Sequence, residues 1–273
     1  KLRQNQASEP IKGIIFDKDG TLADARPFLR RLAIARAQAC AERFFRQSPD
    51  QTQNFFDSLS KAFGVTPAGL DPEGLMAVGT RPANEQAAIR LARAMGVAEG
   101  EATRLVPHIF TTVDGLVTCK AAQTPPLSGI QAMLLWLGDS PFKVGVLSSD
   151  STANVADFLD YYGVNHRIDS FRGTEPGDNP KPHPELFWEL CNCLGIYPHQ
   201  ALMVGDSWAD LKVTRNAGAA AFVSVGTAWG RSPIPGADFV IKSWDDLLHL
   251  VSSFDGDSSP LYYPAKEIGY KEA

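Results

Sequence analysis

The chain has 273 residues, a hydrophobic content of 44% and a formal net charge of −5. This length is sufficient for one large or two moderate domains, each with a buried core. A mildly acidic chain is not expected to bind nucleic acid through its overall charge, because such binding requires many basic side chains that neutralise phosphates. We therefore predict no nucleic-acid partner.

Cysteine usage and hydropathy favour a reducing, aqueous compartment. The four cysteines are too few and too irregularly spaced for a disulfide framework or a zinc site. No apolar run in the sequence approaches the roughly 18 residues that a membrane-spanning helix requires, and residues 1–10 lack the apolar segment of a signal peptide. We predict a cytoplasmic protein without a membrane partner, either a monomer or a homodimer.

The first chemical motif follows a short apolar run near the N-terminus. Residues 13–16 have the composition of a buried strand, and Asp17, Asp19, Gly20 and Thr21 follow that strand at once. A glycine permits a tight turn, so the two carboxylates can approach one reacting group from different directions. The pattern predicts a strand that ends in a reactive loop.

Residues 24–122 have helical rather than strand periodicity. Asp24 is predicted as the N-cap of a first helix that has Pro27 in its first turn. Further helices are predicted over about residues 55–63, 83–95 and 100–118. No strand pattern interrupts this region, so we expect an all-helical insert. The arginines of the first helix form either a solvated face or a positive rim that attracts anionic substrates.

From residue 123 onward, strands and helices alternate. Strands are predicted over residues 142–147, 168–171, 201–204, 220–225 and 239–241. This alternation predicts an α/β fold with a doubly wound parallel sheet. The expected domains are a catalytic core of residues 1–23 and 123–255, a helical insert of residues 24–122 and a C-terminal tail of residues 256–273. The polar, turn-rich tail is expected to be loosely ordered, although Leu261, Tyr262 and Tyr263 could dock on the surface.

Polar side chains follow three of the predicted strands at the point where each strand ends: Asp17 with Asp19, Ser148 with Ser149, and Asp206 with Asp210. Ligands bind at the carboxyl edge of an open parallel sheet. We therefore expect these side chains, although distant in sequence, to meet in one crevice.

A buried carboxylate at the end of an apolar strand is costly unless a cation accompanies it. Asp17 and Asp206 could hold the same divalent ion, and hard oxygen ligands without nearby histidine or cysteine favour Mg²⁺ over zinc. With charge neutralised, Asp17 could attack a phosphate group and form an aspartyl-phosphate. Asp19 could then protonate the leaving oxygen and later deprotonate the attacking water.

Several further groups are candidates for binding the phosphate. Ser148, with Ser149 as its rival, offers a hydroxyl, and Lys181 offers a fixed positive charge. The turn at Gly20 and Thr21 offers backbone N–H groups to the same anion. Each group also has an ordinary structural interpretation as a turn, helix-cap or solvated loop residue. Their occurrence together and in order favours the chemical interpretation.

These motifs resemble the four signature motifs of haloacid dehalogenase (HAD) superfamily phosphatases: Asp17-Lys18-Asp19-Gly20-Thr21, the strand ending in Ser148, Lys181 between two prolines, and residues 205–210. The resemblance covers about residues 11–251 and implies a Rossmann-like core with a helical cap. It implies the nucleophile Asp17, the general acid/base Asp19, the phosphate ligands Ser148 and Lys181, and magnesium held by Asp17, by Asp206 and by the backbone carbonyl of Asp19. It also implies that Asp210 orients a metal-bound water or Lys181.

Among subgroups of this superfamily, the chain looks most like phosphoglycolate phosphatase and β-phosphoglucomutase-type proteins. Residues 78–85 resemble the loop that such caps lower over the active site, where Arg81 would contact the substrate. The alternative for Arg81 is a surface position or packing within the cap. The expected function is Mg²⁺-dependent hydrolysis of a small phosphorylated metabolite, phosphoglycolate or a sugar phosphate. A phosphomutase and a non-catalytic phosphate-binding regulatory module are the alternatives.

Overall fold

The computed structural model describes residues 10–226 and 232–254. The strands in chain order are β1 (Gly13–Phe16), β2 (Val65–Thr66), β3 (Gly69–Leu70), β4 (Lys143–Leu147), β5 (Ser170–Arg172), β6 (Ala201–Gly205), β7 (Ala221–Val225) and β8 (Phe239–Ile241). The helices are α1 (Arg26–Phe45), α2 (Pro49–Ala62), α3 (Leu75–Val78), α4 (Arg81–Ala94), α5 (Glu99–Gly115), α6 (Ile130–Gly138), α7 (Thr152–Tyr161), α8 (Glu185–Leu194), α9 (Trp208–Ala217) and α10 (Trp244–Ser252). The predicted tail, residues 256–273, lies outside the described residues.

A parallel sheet of six strands in the order β5-β4-β1-β6-β7-β8 forms the centre of the protein. All five strand pairings in this sheet are parallel, which confirms the predicted α/β class. The chain places β4 on one side of β1 and β6 on the other, so the carboxyl ends of these three strands lie side by side at the point where the winding reverses. Ligands bind at such a switch point in open α/β sheets.

Helices cover both faces of the sheet, which explains why β1 is apolar at every position. Ile14 and Phe16 pack into a hydrophobic cluster with residues of α6, α7 and α10. Ile15 points to the opposite face and packs with residues of α8 and α9. Because successive strand side chains alternate between faces, one short strand is anchored in both layers of the core. The end of β1 is therefore a rigid support for whatever follows it.

The helices α1 to α5 surround a separate hydrophobic cluster that contains the fully buried rings of Phe55, Phe63 and Phe110. The predicted helical cap is confirmed, with one difference from the expected all-helical insert. The strands β2 and β3 form a two-stranded antiparallel hairpin within it. Each strand has only two residues, so no alternation of polar and apolar side chains could reveal them. The domain boundaries stay a prediction.

The predicted N-cap role of Asp24 is wrong. The helix α1 begins at Arg26 with Ala25 as its N-cap residue. The Asp24 carboxylate lies one residue earlier, where it accepts from the Arg26 backbone N–H at 3.0 Å and pairs with the Arg26 guanidinium at 2.7 Å. The Asp24 backbone N–H donates to the Pro125 carbonyl at 2.7 Å, which joins the two chain segments that connect the cap with the sheet. Of the helices described, none is long and apolar enough to cross a membrane.

Candidate active site

The loop after β1 places Asp17 at the carboxyl edge of the sheet. Asp17 extends the strand, because its backbone N–H donates to the Val204 carbonyl at 2.9 Å. The chain then turns back: the Leu22 N–H donates to the Lys18 carbonyl at 2.9 Å. The backbone N–H groups of Gly20 and Thr21 donate to the Ala23 carbonyl at 2.8 Å and to the Lys18 carbonyl at 3.3 Å, so the prediction that they bind the phosphate is wrong. Gly20 has a φ of 98°, and a Cβ at this position would overlap the Asp206 carboxylate. Only glycine combines this backbone conformation with so close an approach to a neighbouring carboxylate.

Lys181 joins two of the acids in a buried ion-pair network. Its Nζ atom lies 2.6 Å from Asp17 Oδ1, 2.6 Å from Asp210 Oδ1 and 3.3 Å from the Leu147 carbonyl oxygen. All three charged side chains are buried. Burial on its own would lower the pKa of Lys181, but the neighbouring Asp17 and Asp210 outweigh that effect and raise it. Lys181 therefore keeps its positive charge at the centre of the site.

The electrostatics of Asp17 differ from those of an ordinary aspartate. Burial raises the pKa of Asp17 to about 7 from 3.8, Asp210 adds to the rise, and Lys181 opposes it. Desolvation thus outweighs the attraction of Lys181, the cation that lies against this carboxylate. A second cation beside Asp17 would favour its charged form, which is the form that a nucleophile or metal ligand requires.

Three carboxylates fit a cation. Asp17, Asp206 and Asp210 are all buried, and each offers an oxygen within 4.8 Å of the others. Hard oxygen donors of this kind suit Mg²⁺. Asp210 also holds the loop before α9: its Oδ2 accepts from the Ser207 backbone N–H at 3.1 Å and from Ser207 Oγ at 2.6 Å. Both oxygens of Asp210 are thus engaged, one by Lys181 and one by Ser207, and Asp210 is placed to orient Lys181.

The predicted phosphate ligands occupy different environments. Ser148 directly follows β4 and is buried, and its Oγ accepts from the Asp150 backbone N–H at 3.1 Å. Its rival Ser149 is exposed. Thr21 Oγ1 is buried and has no hydrogen-bond partner among the described residues. A buried hydroxyl without a partner is costly, so the site favours a polar group close to Thr21.

Sequence reasoning missed the residues that surround Asp19. Lys18, which is fully buried, lies 2.5 Å from Asp19 Oδ1 and 3.1 Å from Asp150 Oδ2. Lys120 lies 2.5 Å from the same Asp150 oxygen and 3.3 Å from Asp19 Oδ2. Burial would raise the pKa of Asp150, but Lys18 and Lys120 outweigh it and lower the pKa to about 2. In the sequence Lys18 stands between the two motif acids, and a buried lysine at that position could have indicated that a further carboxylate lies nearby. Nothing in the sequence around Lys120 indicated its contact with Asp19.

The structure places Arg81 in a network within the cap. Its guanidinium donates to Thr111 Oγ1 at 2.8 Å, to Glu85 Oε1 at 2.9 Å, to Asp114 Oδ2 at 3.0 Å and to the Pro107 carbonyl at 3.4 Å. Arg36 also pairs with Asp114. These contacts favour the packing role, and contact between Arg81 and a substrate stays a prediction.

The doubly wound sheet, the helical cap and the acid cluster at the switch point define an α/β enzyme with its candidate site at the carboxyl ends of β1, β4 and β6. The sequence pattern of the haloacid dehalogenase-like hydrolases matches residues 11–218. The chain belongs to this family, as the four motifs predicted.

Several known proteins are similar to this chain in sequence or in structure. A phosphoglycolate phosphatase from Mannheimia succiniciproducens is 27% identical over 246 residues, which cover 88% of this chain and 98% of that protein. The crystal structure of a predicted phosphoglycolate phosphatase from Haemophilus somnus superposes with a TM-score of 0.61 at 22% identity, covering 88% of this chain and 97% of that one. A structure described as a candidate β-phosphoglucomutase from Thermotoga maritima has a TM-score of 0.55 at 15% identity, covering 89% and 99%. The two structures establish likeness of fold.

Proposed function

We propose that the protein is a Mg²⁺-dependent phosphatase that hydrolyses small phosphomonoesters through an aspartyl-phosphate on Asp17. One observation carries the proposal: the buried Lys181 ammonium lies 2.6 Å from Asp17 and 2.6 Å from Asp210, beside a third buried carboxylate, Asp206. A nucleophile, a fixed positive charge and a set of hard oxygen ligands are thus within reach of one phosphoryl group. The catalytic roles below rest on this arrangement and on the family motifs.

Asp17 is the nucleophile because it is held by β1 on one side and by Lys181 on the other. As a new bond forms between its carboxylate oxygen and phosphorus, the bond from phosphorus to the leaving oxygen breaks. The Lys181 ammonium and the Ser148 hydroxyl stabilise the phosphoryl oxygens. Asp19 gives a proton to the leaving oxygen and takes one from water in the second step.

Asp17 and Asp206, with the carbonyl of Asp19, would hold the Mg²⁺. When bound, this ion supplies positive charge that offsets the negative charges of the carboxylates and the phosphate. Ser207 and Lys181 keep Asp210 in place next to these ligands. The cap made of α1 to α5 closes over the substrate, excludes bulk water and contributes to specificity.

Phosphoglycolate is the first substrate to try, followed by sugar phosphates. Support for this choice comes from relatives called phosphoglycolate phosphatase, at 27% identity over 87–88% of this chain. A phosphomutase would use the same motifs but would return the phosphoryl group to the substrate. Measuring both free phosphate and isomerised ester separates the two reactions. The acids and Lys181 that the mechanism requires are present, which argues against a non-catalytic binding module.

The test is the replacement Asp17→Asn, assayed as release of phosphate from phosphoglycolate with and without Mg²⁺. We expect the wild type to require Mg²⁺ and the variant to lose all measurable turnover, because an amide cannot form the aspartyl-phosphate. Asp160→Asn is the matched control, since Asp160 is an exposed acid whose side chain accepts a hydrogen bond from the nearby Asn165 at 2.7 Å. If Asp17→Asn retained wild-type turnover, the assignment of the nucleophile would be wrong.

A further inference from the structure

A second cluster of charges lies beside the proposed catalytic acids. It consists of two lysines and two aspartates, Lys18, Asp19, Lys120 and Asp150, and each lysine contacts both aspartates. The cluster is therefore balanced in charge. Buried ion pairs are weak evidence for stability, because apolar side chains of the same size often serve as well. Four charges at this place call for another explanation.

The cluster joins three chain segments. Lys18 and Asp19 belong to the loop after β1, while Asp150 belongs to the loop after β4 that also carries Ser148. Lys120 lies on the segment that follows α5 and leads from the cap back to the sheet. The residue before it, Cys119, has a φ of 47°, a conformation that is costly for any residue with a Cβ atom. The surrounding contacts hold this connecting segment in a defined shape that presents Lys120 to the acids.

The cluster has a deeply buried part and a part that contacts the cap. Lys18 has no exposed surface, and its ammonium lies 5.7 Å from the centre of the Phe158 ring in the core. Asp150 is secured by Asn154, whose side-chain amide donates to Asp150 Oδ1 at 2.8 Å. The Lys120 ammonium lies 4.9 Å from the centre of the Phe28 ring, which belongs to α1 of the cap. Lys120 thus contacts the cap and the catalytic loops at the same time.

We propose that Lys18 and Lys120 are positioning residues for proton transfer by Asp19. Lys18 holds Oδ1 of Asp19 at 2.5 Å, whereas the contact of Lys120 with Oδ2 is longer, at 3.3 Å. Oδ2 is therefore the oxygen that exchanges the proton. In the first step its proton passes to the leaving oxygen as the bond from that oxygen to phosphorus breaks. In the second step water returns a proton to Oδ2 while the water oxygen bonds to phosphorus and the bond from phosphorus to the Asp17 oxygen breaks, which releases phosphate. This inference rests on the acid/base role proposed for Asp19.

Substrates with different leaving groups distinguish a positioning role of Lys120 from a purely structural one. An alkoxide leaving group, as in phosphoglycolate, requires a proton, whereas the nitrophenolate of p-nitrophenyl phosphate leaves without one. For Lys120→Met we expect the rate of the first step, ester cleavage in a single turnover with enzyme in excess, to fall about 10-fold or more on phosphoglycolate, a part of the ~10²–10⁴-fold that general acid–base catalysis contributes. On p-nitrophenyl phosphate the rate of this first step should change by less than about threefold. Hydrolysis of the aspartyl-phosphate, which needs Asp19 for both esters, does not enter a single-turnover rate.

Two variants serve as controls. Lys120→Arg keeps the positive charge and should restore most of the lost rate on phosphoglycolate. Lys143→Met removes a half-exposed lysine that pairs with Asp169 at the surface, and it should leave both rates unchanged. Because Lys18→Met alone could prevent folding, the charge-balanced double variant Lys18→Met/Asp150→Asn tests the buried part of the cluster. It should show the same selective loss on phosphoglycolate.

An equal loss of the first-step rate on both esters, or no loss on either, would overturn the proposal for Lys120. Asp17→Asn still tests the phosphatase function separately. If the wild type hydrolyses neither ester, the phosphatase function fails and crystal structures decide the positioning role. A changed orientation of the Asp19 carboxylate in Lys120→Met would then support it. An unchanged Oδ2 position would refute it.

Discussion

Replacing Asp17 by asparagine should stabilise the metal-free protein at alkaline pH, although the same change abolishes turnover. The pKa of Asp17 is raised from 3.8 to about 7, chiefly by burial. The carboxyl group therefore binds its proton more tightly in the folded than in the unfolded state. Between these two pKa values the free energy of unfolding falls as pH rises, because the unfolded state binds fewer protons there.

The size of the effect follows from the shift. A rise of about 3 pH units, at 1.36 kcal/mol per unit, corresponds to about 4 kcal/mol of stability lost between pH 4 and pH 8. Asparagine resembles the protonated carboxyl group and does not titrate. In EDTA the free energy of unfolding of Asp17→Asn should therefore exceed that of the wild type by up to about 4 kcal/mol at pH 8. The two values should be the same near pH 4.

The measurement is urea unfolding of both proteins at pH 4, 6 and 8 in EDTA, then at pH 8 with Mg²⁺. Adding Mg²⁺ should stabilise the wild type more than Asp17→Asn, because one ligand is missing in the variant. Equal pH dependence of the two proteins in EDTA would refute the argument that burial dominates the electrostatics of Asp17. Asp160→Asn, at the surface, is the control for the loss of one carboxylate.

Two further replacements test the surroundings of the acid cluster. Asp210→Asn breaks a buried ion pair with Lys181 and weakens the N-terminal capping of helix α9. Urea unfolding at pH 7 should therefore show a free energy of unfolding that is about 3 kcal/mol lower than that of the wild type. Asp246→Asn alters the same capping arrangement at the exposed start of α10 and should lower the free energy of unfolding clearly less, because no buried ion pair is broken there. Equal losses in the two variants would contradict the importance of the ion pair. Gly20→Ala places a Cβ against the Asp206 carboxylate in a left-handed conformation. It should raise the Mg²⁺ concentration needed for half-maximal phosphate release at least about 10-fold, in line with the ~1–3 kcal/mol cost of such strain. An unchanged Mg²⁺ titration would show that the close approach of Gly20 to Asp206 has no role in metal binding.

Local sequence patterns predicted the alternation of strands and helices and the motifs at strand ends. Buried parallel strands are short continuous apolar runs, and Asp17, Ser148 and Asp206 each follow such a run directly. A parallel sheet brings the ends of β1, β4 and β6 to one edge, so chain order and strand position were sufficient to predict where the candidate residues meet. The family assignment followed from the same motifs, and the match over residues 11–218 confirms it.

The contacts of individual side chains were less predictable. Asp24 had the composition of a helix cap, yet its carboxylate pairs with Arg26 instead. Arg81 had the position of a substrate contact, yet its partners include Asp114, 33 residues further along the chain. These hydrogen bonds depend on which side chains the folded chain brings into contact. A short sequence pattern contains no information about such contacts.

The sequence by itself determined the sheet, the helical cap and the acids at the carboxyl edge, because each depends on the polarity of residues close together in the chain. Only the tertiary structure showed that Lys181 bridges Asp17 and Asp210, and that Lys120 contacts Asp19 although the two residues are 101 positions apart in the sequence. A charged side chain that leaves water needs an opposite charge, and several acids could have met that need. The segment from the cap to the sheet packs against the loops after β1 and β4, and this packing determines which acids Lys120 contacts.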